Sequence, residues 1–267
     1  TMTISLVQRD MIVNASNGQI CDQNGNLLFY TNGIYIANAL NDTMQNGSGL
    51  NPGPFTTTRQ PNGITIPQAN LVIPFPGDST KYYLFHETCD DINLTGSTYF
   101  LYNSIIDMSL NSGLGAVVIK NNILLQDTLV PGRLTSCKHA NGRDWWVISH
   151  KLFSSIVFKY LITPLGISGP WTQDLVTQRD ISFGQSIFSN QGNKFVYYDP
   201  TGDLDIWDFD RCDGNFSNLT HIDINDSAAA GGIAFSPTDR FLYVSSTNYI
   251  YQFDMNASSI DSSKITV

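Results

Sequence analysis

The most regular feature of this chain is a short pattern of polar and apolar positions that recurs five times. A turn rich in Gly, Asn and Asp leads to a polar residue, then to four consecutive apolar residues and another polar residue. These apolar quartets begin at residues 27, 82, 145, 195 and 241, at intervals of 55, 63, 50 and 46 residues. Four apolar residues bounded by turn formers make a strand and are too few for a helix. The pattern therefore predicts an all-β protein made of repeats.

Further short apolar segments accompany the quartets. A second segment follows each quartet after a turn, at residues 34–36, 99–102, 156–160, 204–209 and 249–253. A third segment with small residues precedes two quartets, at 184–188 and 231–235, and residues 63–66 are predicted to be an earlier copy. All four residues of a quartet are apolar, whereas a strand with one exposed face would alternate apolar and polar residues. The quartet strands should therefore be buried on both faces.

Several short strands per repeat of 46–63 residues, buried between neighbouring repeats, are typical of a β-propeller blade. We predict that residues 1–267 form a single β-propeller domain or a fragment of one, with WD40/YVTN-like blades. At least five repeats are recognisable, centred near residues 27–36, 82–102, 145–160, 195–209 and 241–253. The chain would be an incomplete propeller or one of six to seven blades. A β-sandwich would show stricter alternation, and a β-solenoid would have much shorter coils.

Composition narrows the classes of partner. Charged residues make up 14% and aromatic residues 12% of the chain, the formal net charge is −9, and Glu87 is the only glutamate. Aspartate and asparagine favour turns over helices. No cluster of basic residues is present, so nucleic acid is not an expected partner. No apolar run approaches the roughly 20 residues that span a bilayer, so no transmembrane segment is predicted.

No group of residues forms a catalytic constellation, and the chain is predicted not to be an enzyme. His139, Asp144 and His150 flank the third quartet and could suggest a catalytic or metal cluster. The strand between the two histidines places them near opposite ends of a hairpin, with His150 just past the strand. Both are therefore expected to cap or bridge turns.

Oxygen ligands at calcium-like spacing occur in two places, each without the carboxylate at the twelfth position of an EF-hand loop. The candidate calcium ligands are Asp22, Asn24 and Asn26, and Asp208, Asp210 and Asp213. Because Asn-Gly and Asp-Gly also build tight hairpin turns, a structural role is the alternative. No other metal site and no other cofactor is predicted.

Two pairs of aspartates, Asp90 with Asp91 and Asp203 with Asp205, could serve glycoside chemistry if the members of a pair faced each other across a cleft. Solvated loop carboxylates are the commoner case. The four cysteines lie far apart and form no paired zinc motif. They are expected to be buried free thiols, or else Cys89 and Cys137 form a single disulfide between neighbouring repeats.

Five motifs along the repeats carry a resemblance to a known family. They are residues 22–33 (DQNGNLLFYTNG), 73–85 (IPFPGDSTKYYLF), 106–115 (IDMSLNSGLG), 138–150 (KHANGRDWWVISH) and 235–245 (FSPTDRFLYVS). In this order they resemble the N-terminal β-propeller region of Bacteroidetes surface and secreted proteins that end in gliding-motility-type (type B) sorting domains for type IX secretion. The resemblance implies an extracellular or cell-surface location, partners there and in the secretion machinery, and no cofactor or catalytic residue.

The resemblance also implies O-glycosylation, because such bacteria modify surface proteins at Asp-Ser and Asp-Thr motifs. The candidate acceptors are Thr43, Ser79, Thr128 and Ser227.

Together these features predict a non-catalytic extracellular β-propeller module of a large surface or secreted protein. It would act as a scaffold or adhesion platform that binds proteins or glycans. One alternative is a propeller hydrolase or lyase, lactonase-like or glycan-active, with a metal at the central channel. The other is a structural subunit of a surface filament, which would bury large apolar contacts between chains.

Overall fold

The computed structural model describes residues 9–89 and 98–267, and this part of the chain is almost entirely β. The chain divides into two compact units. Of the described residues, the first comprises 9–74, 79–89 and 100–126, and the second comprises 75–78, 98–99 and 127–267. The single domain expected over residues 1–267 stays a prediction.

The first unit is built on two four-stranded antiparallel meanders. Its strands are β1 (Gly18–Cys21), β2 (Leu27–Thr31), β3 (Tyr35–Asn38), β4 (Thr43–Ser48), β5 (Asn70–Pro74), β6 (Lys81–Thr88), β7 (Thr98–Asp107) and β8 (Ala116–Leu129). A short helix, α1 (Pro54–Arg59), separates the two meanders. One parallel pair, Gln45 with Ala116, joins β4 to β8 and makes a single sheet in the order β1-β2-β3-β4-β8-β7-β6-β5.

The second unit contains three separate four-stranded antiparallel sheets. Their strands are β9 (Thr135–Lys138), β10 (Trp145–His150), β11 (Ser154–Thr163), β12 (Gly166–Arg179), β13 (Gln185–Phe188), β14 (Lys194–Asp199), β15 (Asp203–Asp210), β16 (Asn215–Ile222), β17 (Gly231–Phe235), β18 (Phe241–Ser246), β19 (Ile250–Asp254) and β20 (Ile265–Thr266). Aromatic side chains such as Trp146, Phe195 and Phe209 form a core between the first two of these sheets.

The five apolar quartets fall in the second strand of the five meanders, namely β2, β6, β10, β14 and β18. As predicted, most of their residues are buried: fifteen of the twenty are buried, and the half-buried ones are Leu27, Leu28, Trp145, Phe241 and Tyr243. The predicted number of recognisable repeats and the strand assignment of the quartets are therefore confirmed.

The expected small-residue strand at 63–66 is wrong. The first strand of that meander is β5 (Asn70–Pro74), and Ile64 instead lies in a buried loop packed with Ile34 and Ala69. The Ile64 N–H donates to the carbonyl of Asn32, and Asn32 does not belong to β6, the strand that pairs with β5. An apolar loop buried by its neighbours has the same local pattern as a short strand, and only pairing distinguishes them.

In the second unit, the polar residues of the candidate site lie at the same end of their sheets. Because the strands of a meander alternate in direction, the start of the first strand, the end of the second, the start of the third and the end of the fourth lie together. We call this the leading end. It begins at Thr135, Gln185 and Gly231 in the three sheets.

Candidate functional site

Arg133 lies just before β9, at the leading end, and is completely buried. Its guanidinium donates to the carbonyl of Gly184 at 2.6 Å and to the carbonyl and hydroxyl of Ser182 at 3.0 and 2.8 Å. A buried charge is tolerated only when hydrogen bonds replace its hydration. These bonds tie the start of one sheet to the start of the next.

Arg179 and Asp205 form a buried ion pair at the same end. Arg179 Nη2 lies 2.9 Å from Asp205 Oδ2, and the two side chains are 3% and 1% exposed. The Arg179 guanidinium also lies 4.0 Å from the centre of the Tyr197 ring. Removing one partner of such a pair would leave an uncompensated charge in the interior. Asp205 is thus fixed in position.

Asp205 holds the imidazole of His221, which is half-exposed. His221 Nδ1 lies 2.7 Å from Asp205 Oδ1, and Nε2 lies 3.1 Å from Asp223 Oδ1. The hydrogen bond to Asp205 raises the pKa of His221, and Asp223 raises it further, while burial opposes them. A chain of polar contacts therefore runs from buried Arg179 through Asp205 and His221 to exposed Asp223.

Asp203 completes this group. Its Oδ1 accepts the backbone N–H of Ile224 at 2.8 Å and of Asn225 at 3.3 Å. One side-chain ligand atom from each of Asp203, His221 and Asp223 lies within 4.8 Å of the other two. An imidazole beside carboxylates can act as a general base or bind a metal ion.

His150, the last residue of β10, is buried rather than placed just past the strand. Its ring stacks on Phe195 with centroids 5.7 Å apart and meets the Tyr197 ring at 5.0 Å. Within residues 9–89 and 98–267, its Nε2 has no hydrogen-bond partner. Burial, and then the charges of Arg179 and Arg133, hold the pKa of His150 well below its usual value. His150 is therefore a neutral core residue, and the expectation that it caps or bridges a turn is wrong.

Four exposed apolar residues lie near the leading end of the first sheet in this unit. Phe153, Val176 and Phe183 are 55%, 83% and 62% exposed, and Ile181 lies between the last two along the chain. The Phe153 N–H donates to the Arg179 carbonyl at 2.8 Å, which brings the β10–β11 turn against the end of β12. We call Phe153, Val176, Ile181 and Phe183 the leading-end apolar patch.

Other predicted residues take structural roles. His139 caps its turn as predicted: its Nδ1 accepts the Asn141 N–H at 3.1 Å, and its Nε2 lies 3.1 Å from the Cys212 carbonyl. Asp144 is bound by Arg143 and Asn141. His139 lies in the turn before β10 and His150 is the last residue of that strand, so the structure does not bring the two histidines together.

Three of the candidate calcium residues, Asp22, Asp208 and Asp210, already use their carboxylate oxygens in hydrogen bonds or an ion pair. Asp22 Oδ1 accepts the N–H groups of Asn24 and Asn26, both at 2.8 Å, and Oδ2 accepts the Asn26 amide. Asp208 pairs with Lys194 and Asn218, and Asp210 accepts the N–H groups of Cys212 and Asp213. Calcium binding at either place stays a prediction.

The remaining candidates are placed as follows. Burial raises the pKa of the Cys137 thiol to about 12, and its pairing with Cys89, which belongs to the first unit, stays a prediction. Three candidate glycosylation acceptors are exposed and Thr128 is half-buried; the exposed ones are Thr43, Ser79 and Ser227. Asp90 and Asp91 lie outside the described residues.

His221 belongs to no motif in the sequence. The one available signal is its position opposite Asp205, counted from the turn of the β15–β16 hairpin, and this count gives the wrong residue. The register of that hairpin includes a β-bulge between Ile206 and Asp208, so counting back from the Asp213-Gly214 turn would place Thr220 there instead. From the sequence, Asp203 and Asp205 could be a pair of carboxylates that face each other across a cleft. The structure instead brings both of them to His221.

No known protein family and no curated protein matches this sequence. Solved structures match its fold. The β-propeller domain of Cps50 (Swd1) from Myceliophteria thermophila has a TM-score of 0.51 at 8% identity, over 93% of this chain and 70% of that one. The Dos1 propeller has a TM-score of 0.49 at 14% identity, over 91% and 63%. An auxiliary nutrient binding protein from Bacteroides thetaiotaomicron has 0.43 at 15%, over 74% and 41%.

The chain is a β-propeller, as its five meanders of four strands and the likeness to Cps50 show. At these identities the comparisons establish the fold alone, because one fold carries many functions. The chain spans less than two thirds of the Dos1 propeller and of the nutrient binding protein. In its described part, no helix has the length and apolarity needed to cross a membrane.

Proposed function

We propose that this propeller is a non-catalytic recognition module of a Bacteroidetes cell-surface or secreted protein, and that it binds a protein partner through the leading-end apolar patch. The surface location and the link to type IX secretion rest on the five sequence motifs between residues 22 and 245. The binding role rests on the patch. Residues on connections carried by rigid sheets are where recognition is usually found.

The observation that carries the binding role is that bulky apolar side chains are held in solvent by an unfavourable backbone. Phe153 has φ 54° and Val176 has φ 70°. Left-handed backbone is uncommon for a bulky residue and rarer still for a β-branched one. Strain of this kind costs on the order of 1–3 kcal/mol and is concentrated at functional sites. Exposed aromatic side chains are also the usual anchors of protein interfaces.

The test measures binding of the labelled, purified protein to intact cells of the bacterium that produces it. Saturable binding is expected, and the double variant Phe153→Ser/Phe183→Ser should weaken it at least about tenfold. Leu165→Ser is the matched control, because Leu165 is fully exposed on the β11–β12 turn at the other end of the same sheet. This control should bind as the unmodified protein does.

Pretreatment of the cells distinguishes the chemistry of the partner. Protease treatment should abolish binding, whereas periodate, which destroys glycans, should leave it intact. The proposal is wrong if no saturable binding occurs, or if Leu165→Ser loses as much binding as the double variant. Sensitivity to periodate alone would replace the protein partner with a glycan.

A propeller hydrolase is the second candidate, and one observation favours it. His221 is oriented by a buried carboxylate, Asp205, at 2.7 Å, and is itself half-exposed, which suits a general base. Turnover of lactone or aryl-glycoside substrates that is lost in His221→Gln but kept in His139→Gln would support this candidate.

A further inference from the structure

Three potential metal ligands converge on the β15–β16 hairpin of the second unit. Asp203 is the first residue of β15, His221 is near the end of β16, and Asp223 follows that strand. Their ligand atoms lie within 4.8 Å of one another. A single rigid hairpin therefore carries an imidazole and two carboxylates toward one point.

Asp203 is set in place while keeping an oxygen available. Two backbone N–H groups, of Ile224 and Asn225, are bound by Oδ1. Among the described residues, Oδ2 accepts no hydrogen bond and no Lys or Arg pairs with either Asp203 or Asp223. Asp203 is thus held by backbone amides and Asp223 contacts His221, so both carboxylates can neutralise a cation.

An independent observation concerns the residue behind His221. Asp205 is not one of the three ligands, is 1% exposed, and is locked by its ion pair with Arg179. Its Oδ1 lies 2.7 Å from His221 Nδ1, and this contact aims Nε2 at Asp223 and the solvent. Metal-ligating histidines are almost always oriented in this way, with the other ring nitrogen donating to a carboxylate or carbonyl.

We propose that Asp203, His221 and Asp223 bind a divalent transition-metal ion of the zinc class, with water completing its coordination and Asp205 acting as the positioning residue. Imidazole suits zinc and its neighbours in the first transition row, whereas calcium takes six to eight oxygen ligands. When the ion binds, the His221 Nε2 lone pair forms the new bond. Any proton on Nε2 leaves to solvent, and the contact with Asp223 is exchanged for metal coordination.

The geometry permits closure around an ion. Zinc bonds of about 2.0–2.2 Å in a tetrahedron place the ligand atoms roughly 3.4 Å apart. His221 Nε2 and Asp223 Oδ1, 3.1 Å apart, already lie near this spacing, and since all the ligand atoms lie within 4.8 Å of one another, no pair needs to close by more than about 1.4 Å. His221 and Asp223 have side chains 47% and 66% exposed, so rotation of exposed groups supplies the movement, and the ion enters directly from solvent.

The experiment is a calorimetric titration of the whole chelator-treated chain with Zn²⁺ alone. One saturable site is expected. His221→Gln and Asp223→Asn should each weaken binding at least about tenfold, whereas Asp205→Asn should weaken it by about 10–100-fold while retaining all three ligands. The controls are His139→Gln, at the turn histidine, and Asp213→Asn, at a candidate calcium loop. Both should bind zinc unchanged.

Spectroscopy separates ligation from folding. Co²⁺ in place of Zn²⁺ should give a visible absorption band that changes in His221→Gln and not in His139→Gln, with all variants melting at the same temperature except Asp205→Asn. The inference is overturned if no Zn²⁺ binds up to millimolar concentration, if His221→Gln binds as His139→Gln does, or if Ca²⁺ binds as tightly as Zn²⁺. None of these outcomes depends on the proposed protein partner.

Discussion

Each unit buries a histidine in the second strand of a meander, and the two are held in different ways. In the first unit, His86 lies with Nδ1 2.7 Å from Asn51 Oδ1 and Nε2 2.9 Å from Ser104 Oγ. In the second unit, His150 packs against aromatic rings, and its Nε2 has no hydrogen-bond partner in the described part of the chain. Both are neutral because burial lowers their pKa.

The difference between the two regions indicates where chemistry can occur. The His86 network is uncharged and made of hydrogen bonds, so it stabilises a core. The charges of Arg179 and Arg133 act on buried His150, and Arg179 is paired with buried Asp205, which reaches His221 at the surface. Buried charges are costly, and their retention marks a candidate for function rather than for stability.

The largest expected effect is from breaking the buried ion pair. Asp205→Ala leaves Arg179 without its carboxylate and should lower the free energy of unfolding by about 3–5 kcal/mol. The counterpart in the first unit is Ser104→Ala, which leaves His86 Nε2 without its partner and should cost about 1–2 kcal/mol. Urea unfolding at pH 7 measures both. Equal losses would contradict the distinction between a charged and an uncharged network.

Lowering the pH should destabilise the folded protein through its two buried histidines, His86 and His150. Burial lowers the pKa of His86 to about 3, whereas an unfolded histidine titrates near pH 6.5. Between these values the unfolded chain binds a proton that folded His86 does not, so stability falls as the pH falls, by about 2 kcal/mol at pH 5. His150 acts in the same direction. His86→Leu should remove its part of this loss.

Urea unfolding at pH 7 and pH 5 measures the loss for the unmodified protein and for His86→Leu. His139→Leu is the matched histidine-to-leucine control, because His139 caps a turn rather than packing in the core. A His86→Leu variant with the original difference between the two pH values would mean that His86 is already protonated or accessible in the folded protein.

The smallest expected effect concerns backbone conformation. Val176 and Asn111 both have positive φ, at 70° and 51°, but asparagine tolerates this conformation and valine does not. Val176→Asn should therefore stabilise the protein by about 0.5–1 kcal/mol, and Asn111→Val should destabilise it by a similar amount. Thermal unfolding measures both. A destabilised Val176→Asn would show that the valine is held by packing rather than against strain.

The repeats were predictable because their signal is local. An apolar quartet such as residues 145–148, between a Gly/Asn turn and a polar residue, can bury itself only as a strand covered on both faces. The same reasoning failed at residues 63–66, where a loop is buried by Ile34 and Ala69. Burial produces the apolar pattern in both cases, and backbone pairing is not visible in it.

The candidate site could not be predicted in full, because its residues are brought together by the pairing register of two strands. Asp203 and Asp205 were recognisable as a carboxylate pair, but His221 was not, because the bulge between Ile206 and Asp208 shifts the partner strand by one residue. A shift of one residue moves every side chain to the other face. The burial of Arg179 beside Asp205 likewise results from the packing of neighbouring strands, which no local pattern encodes.

The amino-acid sequence therefore determined the class of the protein: all-β, five recognisable repeats, and turns rich in Asn, Asp and Gly, because strands and turns follow from residues within a few positions of one another. Only the tertiary structure decided which polar residues meet. His221 becomes a candidate metal ligand because a β-bulge places it opposite Asp205, and because buried Arg179 fixes the position of Asp205 through an ion pair. Those contacts are set by three-dimensional packing, to which the local pattern contributes nothing.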